Sequence, residues 1–260
     1  TDENGNSTKI PFDNAGYMDV APDDKGENIR REICLNLYDM GIRPESSHHE
    51  EGPGQNEIDF RYSDAVTAAD NAMNFITTVK AAAMNNGLFA DFSPKPLKNE
   101  SGNGMHINIS VKSANGEDPT EFFMAGIMNR VREITAFLNP SEDSYRRLGE
   151  KKAPKYVTWS HENRSQLVRI PAAKGEYKRI ELRSPDPTAN PYVAFALLIY
   201  AGLEGIEKKL AVPEAVNLNL FKAEKNVTDK LEALPKSLEE AKSIAKNSEF
   251  VKKYLPANIL

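Results

Sequence analysis

The sequence predicts a protein of the α+β class, built from helices and short β-strands. Long segments with the apolar spacing of a helix are separated by short segments in which apolar and polar residues alternate strictly. The chain has 260 residues, of which 40% are hydrophobic and 27% are charged, so it is long enough to bury a sizeable core. We expect one large domain over residues 1–260, with one domain plus a helical appendage as the alternative.

Five segments have the apolar spacing of a helix. They are Glu27–Met40, Ser63–Gly87 with Ser63 as the N-cap, Thr120–Leu138, Pro191–Lys209, and a last segment that opens with Ser237-Leu238-Glu239-Glu240. Gly41 can take the positive φ that ends a helix, and Asn190 is a suitable N-cap. Ser237 and Glu240 have the spacing of a capping box. The predicted apolar stripe of the second helix consists of Val66, Ala69, Met73, Ile76 and Ala83.

Three short segments alternate between apolar and polar residues. They are Met105–Val111, Arg179–Arg183 and a segment around Ile58 and Phe60 that follows a turn at Gly52-Pro53-Gly54. Period-two alternation places each polar set on one face of a sheet. A solvated strand face usually carries Thr, Lys, Ser and Glu, whereas these faces carry histidine, glutamate and several arginines. We interpret them as the wall of a polar cavity that holds metal, phosphate or carboxylate.

Acidic and imidazole side chains form one candidate site. Its members are His48, His49, Glu50, Glu51, Glu57, His106 and Glu181. Several carboxylates with few imidazoles suit Mg²⁺ or Mn²⁺, which prefer oxygen ligands. No linear metal-binding signature is matched, so these residues are equally compatible with surface carboxylates and one core histidine.

Arginines form a second candidate site. They are Arg146, Arg147, Arg164, Arg169, Arg179 and Arg183. Guanidinium groups bind carboxylate and phosphate through two parallel hydrogen bonds and keep their charge when partly buried. Surface ion pairs are the alternative for any one of them, and the alternation around Glu181 favours the cavity for Arg179 and Arg183.

A glycine-rich turn, Ser101–Gly104, leads into the strand that carries His106 and lets the backbone approach a ligand. Neither a Walker A pattern nor a dinucleotide-binding GxGxxG pattern occurs. Trp159 and the pair Phe122-Phe123 are expected in the core, and His161 is expected in a surface or packing role.

Composition argues against several classes of protein. The formal net charge of -5 provides no electrostatic reason to expect nucleic-acid binding. The one cysteine, Cys34, cannot form an intrachain disulfide. No apolar stretch approaches the ~18 residues of a membrane span, and the first residues contain no signal-peptide core. We therefore expect a cytoplasmic protein without membrane or nucleic-acid partners.

In order along the chain, six blocks resemble the glutamine synthetase family. They are HHEEGPGQNEIDF at His48–Phe60, SPKP at Ser93–Pro96, SGNGMHINIS at Ser101–Ser110, NPSEDSYRRL at Asn139–Leu148, APKYVTWSHENRSQLVRIP at Ala153–Pro171 and RIELRSPDPTANPYVAFALLIYAGLEGI at Arg179–Ile206. The resemblance implies an antiparallel sheet flanked by helices, as in the catalytic domain of that family. It also implies an ATP-dependent ligase, in which ATP phosphorylates the γ-carboxylate of glutamate and ammonia displaces the phosphate.

The resemblance also assigns roles to individual residues. It implies that Glu50 and Glu57 bind one divalent cation, that His106 and Glu181 bind another, and that all four converge on one cavity. Substrate binding is implied for Ser101, Gly102 and Arg147, and a clamp on the transferring phosphate and the γ-carboxylate for Arg164 and Arg183. Nucleotide binding is implied for Tyr62, Asn108, Ser110, Arg169 and Arg179.

The sequence departs from the family pattern at the flap over the substrate. The glutamate that precedes the Ala-Pro matching Ala153-Pro154 is replaced by Lys152, and Glu150 is a possible catalytic substitute. Lysine repels ammonium and cannot accept its proton while charged. The amine acceptor is therefore ammonia or a larger amine such as a polyamine or ethanolamine, and a homologue without catalysis is a third hypothesis. Phe221 stands where some bacterial members carry an adenylylated tyrosine.

The resemblance further implies that an N-terminal β-domain, a metal-binding strand and a C-terminal extension are missing, and that the intact parent is a homo-oligomer. We therefore expect negligible ligase activity from the isolated chain. An assay that couples ATP hydrolysis to glutamine formation checks this expectation, and a turnover comparable to that of an intact synthetase would contradict it.

Overall fold

The structure is a computed structural model that describes residues 1–114, 116–173 and 175–259. The chain divides into two compact units, Thr1–Gly102 and Asn103–Leu260. No helix in the described part of the chain is long and apolar enough to cross a membrane. The expected α+β class is confirmed, because each unit combines helices with a small sheet.

The first unit contains two helices and one β-hairpin. The helices are α1 (Glu27–Asp39) and α2 (Ala65–Asn85), and the strands are β1 (Pro44–His49) and β2 (Asn56–Phe60). The strands pair antiparallel, with an irregularity near Pro44. Ile33 and Leu37 of α1 pack with Ile42 and Ala82, and Ile58 and Phe60 of β2 cover this cluster. The hairpin is therefore held by its apolar face, which leaves its polar residues on the other face.

Helix α2 differs from the prediction at its start and along its buried face. Asp64, rather than Ser63, is the N-cap, and its side chain accepts hydrogen bonds from the backbone N–H groups of Val66 and Thr67. Val66 and Met73 of the predicted stripe are exposed. The buried residues are Ala69, Ala72, Ala82 and Ala83. Two larger side chains of α2, Phe75 and Val79, are half-buried and pack against the cluster that contains Ala82.

The second unit contains six α-helices, a short 3-10 helix at Gly175–Tyr177 and a four-stranded sheet among its described residues. The helices are α3 (Thr120–Leu138), α4 (Glu142–Arg147), α5 (Pro191–Lys208), α6 (Lys225–Thr228), α7 (Leu238–Asn247) and α8 (Glu249–Tyr254). The strands are β3 (Ile107–Ile109), β4 (Trp159–His161), β5 (Val168–Ile170) and β6 (Ile180–Leu182), in the order β3-β6-β5-β4. The β3–β6 and β5–β6 pairs are antiparallel, whereas β4 and β5 run parallel.

Most of the predicted capping and core positions are confirmed. Asn190 caps α5 by accepting hydrogen bonds from the N–H groups of the two residues that follow Pro191, and Ser237 caps α7. The carboxylate of Glu240 accepts from the N–H of Lys236, one residue before the N-cap, so the capping box is incomplete. Phe123 and Trp159 are buried, whereas Phe122 is 38% exposed and His161 lies at the surface.

Helices α3 and α5 approach each other closely because of three glycines. A Cβ atom on Gly126 would lie 2.1 Å from the carbonyl oxygen of Ala201, and one on Gly205 would lie 2.1 Å from that of Phe122. A Cβ atom on Gly202 would lie 2.1 Å from the ring of Phe123. The backbones of the two helices are therefore in direct contact, and this contact forms the centre of the core that supports β5 and β6.

We predict that Gly126→Ala lowers the free energy of unfolding by about 1–3 kcal/mol, because the added methyl group must displace a backbone carbonyl. Urea denaturation of the chain measures the change. Ser243→Ala, at an exposed position of α7, is the control and is expected to change stability by less than about 0.5 kcal/mol. A Gly126→Ala variant as stable as the unaltered chain would contradict the close helix contact.

Candidate active site

The first unit brings three potential metal ligands together at the turn end of its hairpin. His48 is paired with Glu57 across the two strands, and Glu50 follows the last residue of β1. One ligand atom from each of these three side chains lies within 4.8 Å of the others. His48 Nε2 lies 3.7 Å from Glu50 Oε1 and 3.9 Å from Glu57 Oε2.

This group has the chemistry of a cation site. Among the described residues, His48 Nε2 is buried and has no hydrogen-bond partner. Burial, followed by the charges of Asp59 and Glu50, raises the pKa of Glu57 to about 8. A divalent cation would supply the missing partner for the imidazole and remove the repulsion between the carboxylates. The sequence placed His48 among the candidates without a role, and the strand register now places it beside Glu57.

Ser101 and Gly102 contact the same turn in the first unit. Ser101 Oγ donates a hydrogen bond to Glu51 Oε2 at 3.3 Å, and Gln55 Nε2 donates to the carbonyl oxygen of Gly102 at 3.1 Å. Tyr62 follows β2 and is 56% exposed. The predicted substrate-binding roles of Ser101 and Gly102 and the nucleotide-binding role of Tyr62 stay predictions.

In the second unit, Glu181 is the centre of a charged cluster. Its Oε1 accepts a hydrogen bond from Arg183 Nη1 and its Oε2 accepts one from Arg169 Nη1 at 2.7 Å. His106 Nδ1 lies 3.2 Å from Glu181 Oε1. The side chains of Glu181 and Arg183 are only 8% and 4% exposed, whereas that of His106 is 31% exposed. Glu181 is therefore a buried carboxylate held between two guanidinium groups, with an imidazole beside it that solvent reaches.

The register of the sheet explains this cluster. Glu181 of β6 lies directly opposite Asn108 of β3 and Arg169 of β5. Directly opposite residues of antiparallel strands point to the same face, so these three side chains line one surface. Arg179 extends the same polar surface, because its Nε donates to Asn108 Oδ1 at 2.9 Å. Strand pairing thus brings three of the predicted site residues together, and a hydrogen bond adds Arg179 as the fourth.

The electrostatics of the cluster keep Glu181 ionised. Burial alone raises the pKa of Glu181, but the hydrogen bond from His106 and the charges of Arg183 and Arg169 outweigh it, so the pKa lies well below its usual range. Burial lowers the pKa of His106 more than its hydrogen bond to Glu181 raises it. At neutral pH the cluster therefore offers a carboxylate and a neutral imidazole, both of which are suitable metal ligands.

Arg147 is buried beside the glycine-rich turn. Its two terminal nitrogens donate to the carbonyl oxygens of Ser184 at 2.7 Å and Arg183 at 3.2 Å. A Cβ atom on Gly104 would lie 2.6 Å from Arg147 Nη2, so a larger residue at this position would have to displace the end of the arginine side chain. Burial lowers the pKa of Arg147 to about 10, which leaves it charged at neutral pH.

The flap segment forms tight turns that Arg183 contacts. The N–H of Gly149 donates to the carbonyl oxygen of Pro154, and both Gly149 and Lys151 have positive φ. Arg183 Nη2 donates to the carbonyl oxygen of Lys152 at 3.4 Å, and Arg183 Nε donates to that of Arg164 at 3.2 Å. The side chains of Glu150, Arg164 and Ser110 lie at the surface. Their predicted roles, and the convergence of the four predicted metal ligands, stay predictions.

Comparison with known proteins identifies the family. The family model for the glutamine synthetase catalytic domain matches residues 2–260. The glutamine synthetase of Clostridium saccharobutylicum is 44% identical over 270 residues, which cover 98% of this chain and 61% of that protein. The chain belongs to the glutamine synthetase family. The resemblance found in the sequence is therefore confirmed.

Further relatives support the family and its fold. The glutamine synthetase of Staphylococcus aureus strain MW2 is also 44% identical, over 99% of this chain and 61% of that protein. A solved complex of GmaS with ADP matches with a TM-score of 0.86 at 30% identity, over 98% of this chain and 63% of that one. Plasmodium falciparum glutamine synthetase matches with a TM-score of 0.79 at 25% identity, over 96% and 64%. The chain thus spans about three-fifths of the length of these members of the glutamine synthetase family.

We predict that Glu57→Gln reduces the loss of stability between pH 5 and pH 8. In the folded protein Glu57 has a pKa of about 8, against an ordinary value of 4.5. The folded state keeps this proton over the interval while the unfolded state releases it, so stability falls as the pH rises. Thermal unfolding at both pH values without divalent cations measures the effect.

The control is Glu45→Gln, which removes one negative charge from an exposed position of the same hairpin. If both substitutions flatten the pH dependence equally, the change in net charge is responsible, and the half-buried position of Glu57 beside Glu50 and Asp59 is not.

Proposed function

We propose that this chain is the catalytic part of an ATP-dependent ligase that joins glutamate and ammonia to form glutamine through γ-glutamyl phosphate. The observation that carries the proposal is the buried Glu181 between Arg169 and Arg183, with His106 at its edge. A surface ion pair would be solvated, whereas these groups form a charged wall of the kind that binds an anion together with a cation. Membership of the glutamine synthetase family supports the same reaction.

We propose two divalent-cation sites, filled by Mg²⁺ or Mn²⁺. Glu50 and Glu57 would hold one ion, and the imidazole of His48 fits the same site. His106 and Glu181 would hold another, and the hydrogen bond from His106 Nδ1 to Glu181 Oε1, at 3.2 Å, keeps the two side chains together while leaving Nε2 as the ring nitrogen for a cation. Bound cations would neutralise the charge that develops on the phosphates during transfer.

The arginines would act on the anions of the reaction. Arg183 is fixed by Glu181 and by the carbonyl oxygens of Arg164 and Lys152, so its guanidinium group is oriented before substrate binds. Preorganised charge of this kind stabilises a transition state without reorganisation at the moment of reaction. With Arg164 it would bind the transferring phosphate and the γ-carboxylate, while Arg147 would bind the amino-acid carboxylate beside the glycine-rich turn.

The nucleotide would bind along the polar face of the second unit's sheet, at Asn108, Ser110, Arg169 and Arg179. Arg179 is held by Asn108 and by the carbonyl oxygen of Tyr177, and Arg169 by Glu181 and the carbonyl oxygen of Glu162. The structural similarity to a GmaS–ADP complex supports a nucleotide on this fold.

A second candidate function is the ligation of glutamate to a larger amine, and Lys152 favours it. The position before Ala153 carries a cation, which repels ammonium. Glu150 is two residues away on the same turn and is exposed. Assay of the full-length protein against ammonia and a panel of polyamines and ethanolamine separates the two functions. Ammonia preferred by orders of magnitude in kcat/KM would eliminate the larger amine.

To test the nucleotide site, we predict that Arg169→Gln weakens binding of ATP with Mg²⁺ by roughly tenfold to a hundredfold. The substitution removes charge-assisted hydrogen bonds worth about 1.5–3 kcal/mol. Isothermal titration calorimetry of the chain measures the affinity. Arg146→Gln is the matched control, because Arg146 is 72% exposed and pairs only at the surface with Asp143. Equal losses in the two variants would refute the assignment of Arg169. If the intact protein showed no cation-dependent nucleotide binding, a homologue without catalysis would be favoured.

For the amine acceptor, we predict that Lys152→Glu in the full-length protein raises kcat/KM for ammonia at least about tenfold, because one positive charge near the ammonium is replaced by a negative one. Steady-state kinetics with ammonium as the varied substrate measures the change. Lys155→Glu makes the same charge change at an exposed position and is the control. The same gain from both variants would attribute it to net charge.

A further inference from the structure

Two polar side chains in the first unit are completely buried and paired with each other. The side chains of Asp13 and His49 are both 0% exposed, and His49 Nε2 lies 3.0 Å from Asp13 Oδ1. The other ring nitrogen, Nδ1, lies 2.6 Å from the carbonyl oxygen of Glu50. The imidazole therefore connects a loop residue near the start of the chain to the backbone of a proposed metal ligand.

Asp13 also holds two other segments of the first unit. Its Oδ2 accepts a hydrogen bond from the N–H of Lys25 at 3.0 Å, and its Oδ1 accepts one from the N–H of Gly54 at 2.9 Å. Gly54 has positive φ and lies in the turn between β1 and β2. One carboxylate thus joins the segment before α1, the end of β1 and the hairpin turn.

Hydrogen bonds hold both backbone polar groups of Glu50 and one oxygen of its carboxylate. Its N–H donates to the carbonyl oxygen of Gln55 at 2.8 Å, and its carbonyl oxygen is held by the imidazole of His49. Its carboxylate oxygen Oε2 accepts a hydrogen bond from the N–H of Glu51 at 2.8 Å. The other oxygen, Oε1, is the one that lies in the group with His48 and Glu57. Rotation of the Glu50 carboxylate is therefore restricted.

Burial of such a pair has an energetic cost that apolar residues in the same space would avoid. If the pair only had to hold the loop against the hairpin, apolar side chains packed in the same space would do so equally well. A hydrogen bond aimed at the carbonyl of one residue has a more specific effect, which is to fix the direction of that residue's side chain. Partners behind a metal ligand commonly have this effect, and their removal typically weakens metal binding 10- to 100-fold.

We propose that Asp13 and His49 are positioning residues that act through the backbone of Glu50 to hold its carboxylate in the direction required for the divalent cation. This inference rests on the proposed function, in which Glu50 and Glu57 bind that cation. Asp13 orients the imidazole, and the imidazole orients Glu50; neither residue touches the ion or the reacting atoms.

The test compares Mn²⁺ affinity among variants of the chain, measured by the electron paramagnetic resonance signal of free Mn²⁺ well below the unfolding temperature. Glu57→Gln first assigns the site, because it removes a proposed ligand directly. Asp13→Asn is expected to weaken Mn²⁺ binding at this site about tenfold.

His49→Gln separates positioning from structural support. The glutamine amide reaches the position of Nε2 and keeps a donor toward Asp13, but it has no donor at the position of Nδ1 toward Glu50. We expect this variant to retain its thermal stability and to lose about tenfold in Mn²⁺ affinity. If His49 had only a structural role, the His49→Gln variant would retain both its thermal stability and its Mn²⁺ affinity.

Ala69→Gly is the stability control. It lies in the second turn of α2, lowers stability through helix propensity and the loss of a buried methyl group, and leaves the hydrogen bonds of Asp13 and Glu50 intact. If it weakens Mn²⁺ binding as much as Asp13→Asn at the same loss of melting temperature, general destabilisation explains the effect and the inference is overturned.

The remaining outcomes distinguish the inference from the function on which it rests. If Glu57→Gln abolishes Mn²⁺ binding while Asp13→Asn and His49→Gln bind as the unaltered chain does, the positioning role is refuted and the proposed function stands. If Glu57→Gln leaves Mn²⁺ affinity unchanged, the proposed cation site is itself wrong.

Discussion

The carboxylate of Glu181 is the interaction on which the second unit's chemistry depends. It accepts hydrogen bonds from Arg169 and Arg183 and lies beside His106, in a place that solvent scarcely reaches. Removing it would leave the guanidinium group of Arg183 buried without its main counter-charge, which is costly. The same carboxylate therefore stabilises the sheet, fixes the direction of an arginine and remains ionised for a cation. Structural support and proposed catalysis cannot be separated at this residue.

The electrostatics of the first unit differ from those of the second, because its carboxylates lie beside one another. Its hairpin gathers carboxylates rather than pairing them with arginine, and the pKa of Glu57 is raised accordingly. A cation bound there, as the proposed function requires, would remove the repulsion between the carboxylates, and the stability of the unit would then depend on that cation. The buried Asp13–His49 pair lies immediately behind this group and holds the backbone from which Glu50 projects. In this unit, carboxylates that repel one another are therefore held by a buried network of hydrogen bonds.

Packing far from either group makes these arrangements possible. Gly126, Gly202 and Gly205 allow α3 and α5 to meet backbone to backbone, and the sheet that carries Glu181 rests on the same core. In the first unit, alanines along α2 provide the buried face. Both cores use small residues where elements cross, so substitutions that enlarge these side chains would disturb strands whose registers place the polar groups.

Local patterns in the sequence determined the family, the class of fold and the approximate bounds of the five predicted helices, but not the short helices α4, α6 and α8. Helix α3 occupies Thr120–Leu138 as predicted, and Asn190 and Ser237 cap their helices, because periodicity and capping depend on residues within a few positions of each other. Only the tertiary structure decided which side chains touch. The register that places Asn108 and Arg169 beside Glu181, the exposure of Val66, and the contact of Asp13 with His49 depend on packing between segments far apart in the chain. No local spacing encodes such contacts.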